Sequence, residues 1–188
     1  LKANEKNDII GAGLYAWKLY QSPTNRNKIY VGGEGFIGYF EITAKGWNYV
    51  NLEYIDTEVR FFTSLKDNVY ASVQNIGIFK INSSDKITKI TIPDDANFKN
   101  SHFTLAVFKD KIYAGSNKGL YILQQGSLKS VTPIGLEYEK EFTNIHRLYQ
   151  EPDDSKMWAI VKIEDNVSIS ITEIGYFIEN QIGQLEFV

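Results

Sequence analysis

The sequence predicts an all-β fold, a β-propeller built of four-stranded antiparallel blades. Three observations predict it: a motif that recurs four times, intervals of blade length between its copies, and an alternating rather than helical spacing of apolar residues. The first half of the motif reads Ile29-Tyr30-Val31-Gly32, Val69-Tyr70-Ala71-Ser72, Ile112-Tyr113-Ala114-Gly115 and Met157-Trp158-Ala159-Ile160. The second half reads Ile37-Gly38-Tyr39-Phe40, Ile76-Gly77-Ile78-Phe79, Lys118-Gly119-Leu120-Tyr121 and, letter for letter with the first, Ile174-Gly175-Tyr176-Phe177. The aromatic anchors at 30, 70, 113 and 158 are 40, 43 and 45 residues apart.

Residues 1–13 are polar and end in Asp8-Ile9-Ile10-Gly11-Ala12-Gly13, a short strand outside any complete repeat. It is expected either to pair with the last blade or to be the tail of a missing one. Leu1 in place of an initiating Met points to a mature or excised piece. Repeat one covers about 14–53, with strands at 14–20, around Tyr30, around Tyr39 and at 47–52; Gly32-Gly33-Glu34-Gly35 reads as a hairpin turn. Repeat two covers about 54–93, opening with a strand at 59–65 and closing with one at 87–92. Repeat three covers about 94–135, with outer strands at 103–108 and 128–132. Repeat four covers about 136–188, with outer strands at 143–149 and 184–188 and a second hairpin extended by 162–172. Lys66-Asp67-Asn68 and Lys109-Asp110-Lys111 have the composition of tight turns.

A lone meander has two faces to cover, so the repeats must lie against one another, and the radial way to do this is a propeller. Four blades make a narrow ring, so the expectation is either a four-bladed disc or part of a larger propeller. A sandwich of look-alike hairpins accounts for the alternation but not for Ile-Gly-Tyr-Phe twice. The third-strand glycine fits a bulge or a close backbone approach. With 188 residues, 43% hydrophobic and no linker-like tract, a single domain over 1–188 is the simplest organisation.

Net charge is −3 and the basic residues are scattered, which argues against nucleic acid. No cysteine is present, so disulfides, thiolate nucleophiles and zinc–sulfur sites are excluded. No apolar run is long enough for a membrane span and none marks a signal peptide. His102 and His146 do not superpose in the repeats and are too few for a metal site; no metal and no cofactor is expected. No Gly-x-Ser-x-Gly elbow, phosphate loop or His-Glu-x-x-His occurs. The carboxylates Asp56/Glu58, Asp94/Asp95 and Asp153/Asp154 read as solvated turns, a glycosidase pair requiring two of them at hydrolase separation. The triplets at Asn82 and Asn166 match the glycosylation sequon but arise readily by chance.

The runs Ile112-Tyr113-Ala114-Gly115-Ser116-Asn117-Lys118-Gly119-Leu120-Tyr121-Ile122-Leu123 and Ile29-Tyr30-Val31-Gly32-Gly33-Glu34-Gly35-Phe36-Ile37-Gly38-Tyr39-Phe40 resemble blades of the two-component regulator propeller family. The resemblance covers roughly 14–188. It implies the extracytoplasmic sensor of a bacterial signal-transduction regulator, periplasmic or extracellular, which detects carbohydrate or another nutrient and signals to a helical output domain. Repeat two departs from the pattern with Ser72-Val73-Gln74-Asn75 in place of a glycine turn, and repeat four with Ile160-Val161-Lys162.

In a four-stranded blade the loops after strands two and four share one rim. That places Glu34, Gln74, Asn75, Asn117, Lys118 and the pair Asp165-Asn166 beside Tyr54, Asp56, Asp94, Phe98 and Tyr138. Aromatics mixed with amides and acids suit a small-molecule or glycan ligand, by ring stacking and hydroxyl hydrogen bonds, or a protein partner. The candidate ligand residues are Glu34, Tyr54, Asp56, Gln74, Asn75, Asp94, Asn117, Lys118 and Tyr138, with no catalytic residue among them. Packing between neighbouring blades is the competing role for Tyr54, Phe98 and Tyr138. The sequence thus points to a non-catalytic ligand-sensing domain. The alternatives are a stand-alone interaction scaffold that assembles two copies, and a carbohydrate-active enzyme.

Overall fold

The computed structural model describes residues 15–93, 102–134, 141–164 and 170–188, with side chains for all of these except 141–143, 164 and 170. The expected strand at 8–13 lies outside the described residues. Every regular element among them is a β-strand, and within each sheet consecutive strands pair antiparallel. β1 (Ala16–Gln21), β2 (Lys28–Thr43), β3 (Gly46–Leu65), β4 (Asn68–Val73), β5 (Gly77–Ile81) and β6 (Ile87–Lys89) form one six-stranded sheet in chain order. β7 (Thr104–Phe108), β8 (Lys111–Ser116), β9 (Gly119–Gln124) and β10 (Ser127–Val131) form a second sheet. β11 (Glu141–Gln150), β12 (Met157–Glu164), β13 (Ser170–Glu179) and β14 (Leu185–Phe187) form a third. The chain divides into two compact units, residues 1–89 and 90–188.

Repeats two, three and four each contribute four strands to a meander, as the period predicts. In repeat one Gly32-Gly33-Glu34-Gly35 turns the chain as expected, although strand character runs without a break from 28 to 43: β2 doubles back on itself there, so that the Tyr30 and Tyr39 rings lie 6.1 Å apart and the Ile42 backbone N–H donates to the Asn27 carbonyl at 2.8 Å. One expectation is corrected: the strands expected at 47–52 and 59–65 are not separate elements, since the 20-residue β3 runs through both and joins the first two repeats in a single sheet. The tight turns are where expected. Lys109 and Asp110 have φ of 49° and 56°, the left-handed pair that a two-residue hairpin needs to match strand twist.

The aromatic anchors occupy like places. Tyr30 faces Tyr20, Tyr70 faces Thr63, Tyr113 faces Ala106 and Trp158 faces Tyr149, each across the ladder between the first two strands of its repeat. Tyr30, Tyr70 and Tyr113 are buried. The two Ile-Gly-Tyr-Phe stretches are also used alike. Tyr39 lies opposite Val50 and Phe40 opposite Tyr49, the rings of the latter pair 5.2 Å apart. Tyr176 exchanges both backbone hydrogen bonds with Val188, and the Phe177 and Phe187 rings are again 5.2 Å apart.

In unit one the core gathers Tyr30, Ile37, Ile55, Val59, Val69, Ala71, Val73 and Ile81. The sheet folds over along the length of β3, so the face of β1 and β2 packs on the next repeat. Tyr20 stacks on Phe62 and donates to Ser64 Oγ at 2.8 Å. Lys28, buried at the head of β2, donates to both Asp85 oxygens at 2.7 and 2.9 Å from the β5–β6 turn and lies 4.0 Å from the Tyr39 ring centroid. Burial, then the Asp85 carboxylate, which also accepts the phenol hydrogen bond, pushes the Tyr30 phenol well above its ordinary range.

In unit two the β7–β10 and β11–β14 sheets share a core that includes Phe108, Tyr113, Leu120, Ile145, Leu148, Met157, Val161 and Phe177. Thr104 Oγ1 accepts the Leu148 backbone N–H at 2.9 Å inside it. Lys111, the counterpart of Lys28, donates to Glu179 Oε1 on the next sheet at 2.8 Å. The strand entering each sheet also touches its far edge in parallel, Thr91 against Ser127 and Ile134 against Glu186.

Candidate functional site

The richest polar constellation among the described residues stands at one end of the unit-one sheet, where β2, β3 and the β4–β5 turn meet. Two local features build it. Gly35, with φ of 88°, breaks the β2–β3 register: Glu34 stands opposite Glu58 but Phe36 opposite Tyr54, so residues 55–57 of β3 bulge out against Gly35. Alternation along that bulge buries Ile55 in the core and turns Tyr54 and Asp56 outward, leaving Tyr54 81% exposed. On the other side Asn75, with φ of 62°, takes the left-handed position of the β4–β5 turn, a conformation asparagine tolerates, and its side chain is exposed.

Hydrogen bonds fix the floor of this end. Arg60 donates from Nη2 to Glu58 Oε1 at 2.9 Å and from Nε to Gln74 Oε1 at 2.8 Å, while the Gln74 backbone N–H donates to the Glu58 carbonyl at 2.9 Å. Glu58 Oε2 is buried and has no hydrogen-bond partner. Glu34 is exposed, with its backbone N–H held by the Tyr15 carbonyl at 3.0 Å. Tyr49 donates to Asn51 Oδ1 at 3.2 Å; burial first, and the neighbouring Tyr54 phenol second, push the Tyr49 phenol up to about 12. The result is a guanidinium–carboxylate–amide network on or beside the segments that carry four exposed groups: one aromatic, two carboxylates and an amide. It can stack on a flat ring while offering donors and acceptors at fixed places.

Of the sequence-predicted residues, Glu34, Tyr54, Asp56, Gln74 and Asn75 are brought to this one end. Asn117 and Lys118 lie in the β8–β9 turn of unit two, where Lys118 is exposed and Asn117 Oδ1 is buried without a hydrogen-bond partner. Asp94, Phe98, Tyr138 and the Asp165-Asn166 pair lie outside the described residues. Arg60 and the structural part played by Glu58 were missed as site members. Their spacing of two on a strand, which puts both side chains on one face, was the available signal.

The other carboxylate pairs are divided. Asp154 accepts the Lys109 backbone N–H through both oxygens, at 3.0 and 2.9 Å, and Asp153 accepts that of Ser155 at 3.0 Å; both tie turns together. Asp94/Asp95 lie outside the described residues. His146 is exposed on β11. Among the described residues no three His, Asp or Glu side chains are grouped to hold a metal ion, and no helix is long and apolar enough to cross a membrane.

No family model matches the chain and no curated protein matches its sequence. Solved structures of similar fold exist. The extracellular domain of a B. thetaiotaomicron protein assigned to the hybrid two component systems is 13% identical with a TM-score of 0.53, over 92% of this chain and 26% of that one. The extracellular domain of a B. thetaiotaomicron protein assigned to the one component systems is 13% identical with a TM-score of 0.56, over 92% and 27%. An ancestral GH74 enzyme is 12% identical with a TM-score of 0.55, over 92% and 32%. The chain therefore spans about a quarter to a third of the length of these three.

Proposed function

We propose that the chain is a non-catalytic, carbohydrate-sensing domain whose sheets are blades of a β-propeller, and that it works outside the cytoplasm in a bacterial signal-transduction regulator. The observation that carries this reading is the end of the unit-one sheet, where β3 carries both exposed Tyr54 and the Glu58–Arg60 pair that is hydrogen-bonded to Gln74. A sugar ring can lie on the phenol face while its hydroxyls bond Glu34, Asp56 and Asn75. Likeness in fold to two extracellular regulator domains supports the location and the class of task. Soluble oligosaccharides should raise the melting temperature, because they bind only the folded state. Tyr54→Ala should abolish that shift and leave the sugar-free melting temperature unchanged, since Tyr54 buries little. A panel that stabilises neither protein, or stabilises both equally, would sink the reading.

A second reading, a glycoside hydrolase, draws on the cross-strand pairing of Glu34 with Glu58 and on the fold likeness to an ancestral GH74 enzyme. It requires hydrolysis of a glycan that Glu34→Gln and Glu58→Gln each abolish.

A further inference from the structure

The face that β1 and β2 turn toward the next repeat recurs on β11–β13. In unit one Tyr20, Tyr30 and Tyr39 make an aromatic row, with Lys28 over Tyr39, and the strand that follows covers it with Phe62 and Ser64. Under that cover Tyr30 and Tyr39 are buried. In unit two Tyr149, Trp158 and Tyr176 stand opposite one another across three strands. Trp158 and Tyr176 meet edge to face at 5.1 Å, and Lys156 lies 4.5 Å from the Tyr176 centroid, as Lys28 does at 4.0 Å from Tyr39. Yet here Tyr149 is 62% exposed, and Ile174, two residues before Tyr176 on β13, is 74% exposed.

The missing half of such a contact is carried by the same molecule. Leu19 stands opposite Val31 as Phe62 stands opposite Ala71, which gives Leu19 the place in its repeat that Phe62 has in the next. Leu19 is 68% exposed and Trp17, two residues before it on β1, is 52% exposed. We propose that a second copy of the chain docks head to tail, the Trp17–Leu19 face of one copy covering the Tyr149–Trp158–Tyr176 row of the other. This continues the sheet-on-sheet packing that joins Tyr20 to Phe62 within one chain. The contact is expected to be largely apolar, because the polar groups at the row are met within their own chain: Trp158 Nε1 donates to Glu151 Oε1 at 2.7 Å, and the Lys156 ammonium acts on that same carboxylate. The β2–β3 hairpin, whose counterpart in the next repeat supplies Asp85 to Lys28, reads Thr43-Ala44-Lys45-Gly46 and has no carboxylate for Lys156. Association is therefore expected to be insensitive to salt. Because the two surfaces differ, the interface is heterologous, giving a closed ring or a longer array according to its rotation.

The chain has no cysteine, which makes a disulfide test clean. Leu19→Cys and Tyr149→Cys are made on separate molecules, checked for native circular dichroism, mixed and oxidised. The mixture is expected to yield a mixed disulfide that neither variant forms alone. Light scattering of the parent protein at about 0.1 mM is expected to give a mass above the 21.5 kDa monomer, and Tyr149→Ala to weaken association by roughly tenfold or more. A monomer under these conditions with no mixed disulfide would overturn the proposal. So would a Leu19→Cys/Tyr149→Cys double variant that bridges within a single chain at high dilution, since the row would then be met by its own molecule. Neither result bears on the sugar test at Tyr54.

Discussion

Val59 fills the space that Gly32 leaves: a Cβ built on Gly32 would lie 2.5 Å from Val59 Cβ and 2.6 Å from each of its methyls. Ile145 stands in the same relation to Gly115, at 2.5 Å. In both units a β-branched residue on the first strand of one repeat enters a glycine notch on the second strand of the repeat before it. Neither glycine has a left-handed φ, so the notch is a matter of volume alone. Gly32→Ala should cost about 1–3 kcal/mol by overpacking. Val59→Ala alone opens a cavity, and the double variant should be less destabilised than the sum of the two by on the order of 1 kcal/mol. Urea unfolding of the four proteins checks this; strict additivity would mean that the two residues do not share the space.

The Lys28–Asp85 pair gives a second prediction. Lys28 has a side chain only 11% exposed and both Asp85 oxygens within hydrogen-bond reach. Asp85→Asn leaves the ammonium buried without its counter-charge and should destabilise by about 2–3 kcal/mol, less than a fully buried pair because Asp85 keeps some solvent. Lys28→Met should recover much of that loss in the Asp85→Asn background. No recovery would show that Asp85 acts through the turn it closes and not through the ion pair.

The parts of the fold legible in the sequence are those fixed by local chemistry. The period, the anchors and the Lys109-Asp110 turn follow from residue types at short range. Gly32-Gly33-Glu34-Gly35 is legible as a turn because a glycine cluster is the usual mark of one, and β2 does double back there, bringing Tyr39 to Tyr30; what the cluster does not disclose is that its glycines also serve packing. Gly32 admits Val59, Gly33 lies against the Tyr15 carbonyl and the Phe36 ring, and only Gly35 has a left-handed φ. Tyr54 and Asp56 could be placed at a rim by alternation. The Glu58–Arg60–Gln74 network could not, because it depends on how far the bulge shifts the β2–β3 register and on which strand β4 pairs with, both set by tertiary contacts.

Alkaline titration gives a third prediction. Burial first, then Glu179, pushes the Tyr113 phenol up to about 12, and burial does the same for Tyr49. The unfolded chain ionises these phenols near their ordinary value of about 10, so between about pH 10 and 12 the unfolded state binds fewer protons and stability falls as pH rises. Below about pH 10 the contribution is complete. Absorbance of tyrosinate at alkaline pH should therefore show a late class among the 12 tyrosines, titrating together with loss of near-ultraviolet circular dichroism. Tyr113→Phe should make the fall in stability shallower over that interval; an unchanged slope would mean that Tyr113 ionises in the folded state as freely as in the unfolded one.

The repeated glycine of the third strand serves two purposes, and substitution should separate them. Gly77 and Gly119 follow tight turns with φ of 121° and 108°, so their requirement is conformational. Gly38 and Gly175, in the two Ile-Gly-Tyr-Phe stretches, have no left-handed φ but are pressed by the neighbouring strand. A Cβ on Gly38 would lie 2.6 Å from the Val50 carbonyl oxygen and 2.8 Å from the Tyr49 ring, and one on Gly175 would lie 2.6 Å from that of Val188 and 2.4 Å from the Phe187 ring. A ring can swing aside, but a carbonyl in the ladder moves only with its strand. Gly38→Ala and Gly175→Ala should each cost about 3 kcal/mol, the upper part of the overpacking range, and Tyr49→Ala should not rescue Gly38→Ala. Gly46→Ala is the control, since Gly46 has φ of 105° but nothing within 4 Å of a built Cβ, and its cost should be about 1–2 kcal/mol from backbone strain alone. Thermal unfolding of the three alanine variants checks the order, and a Gly46→Ala loss as large as the other two would show that conformation, not crowding, governs all of these glycines.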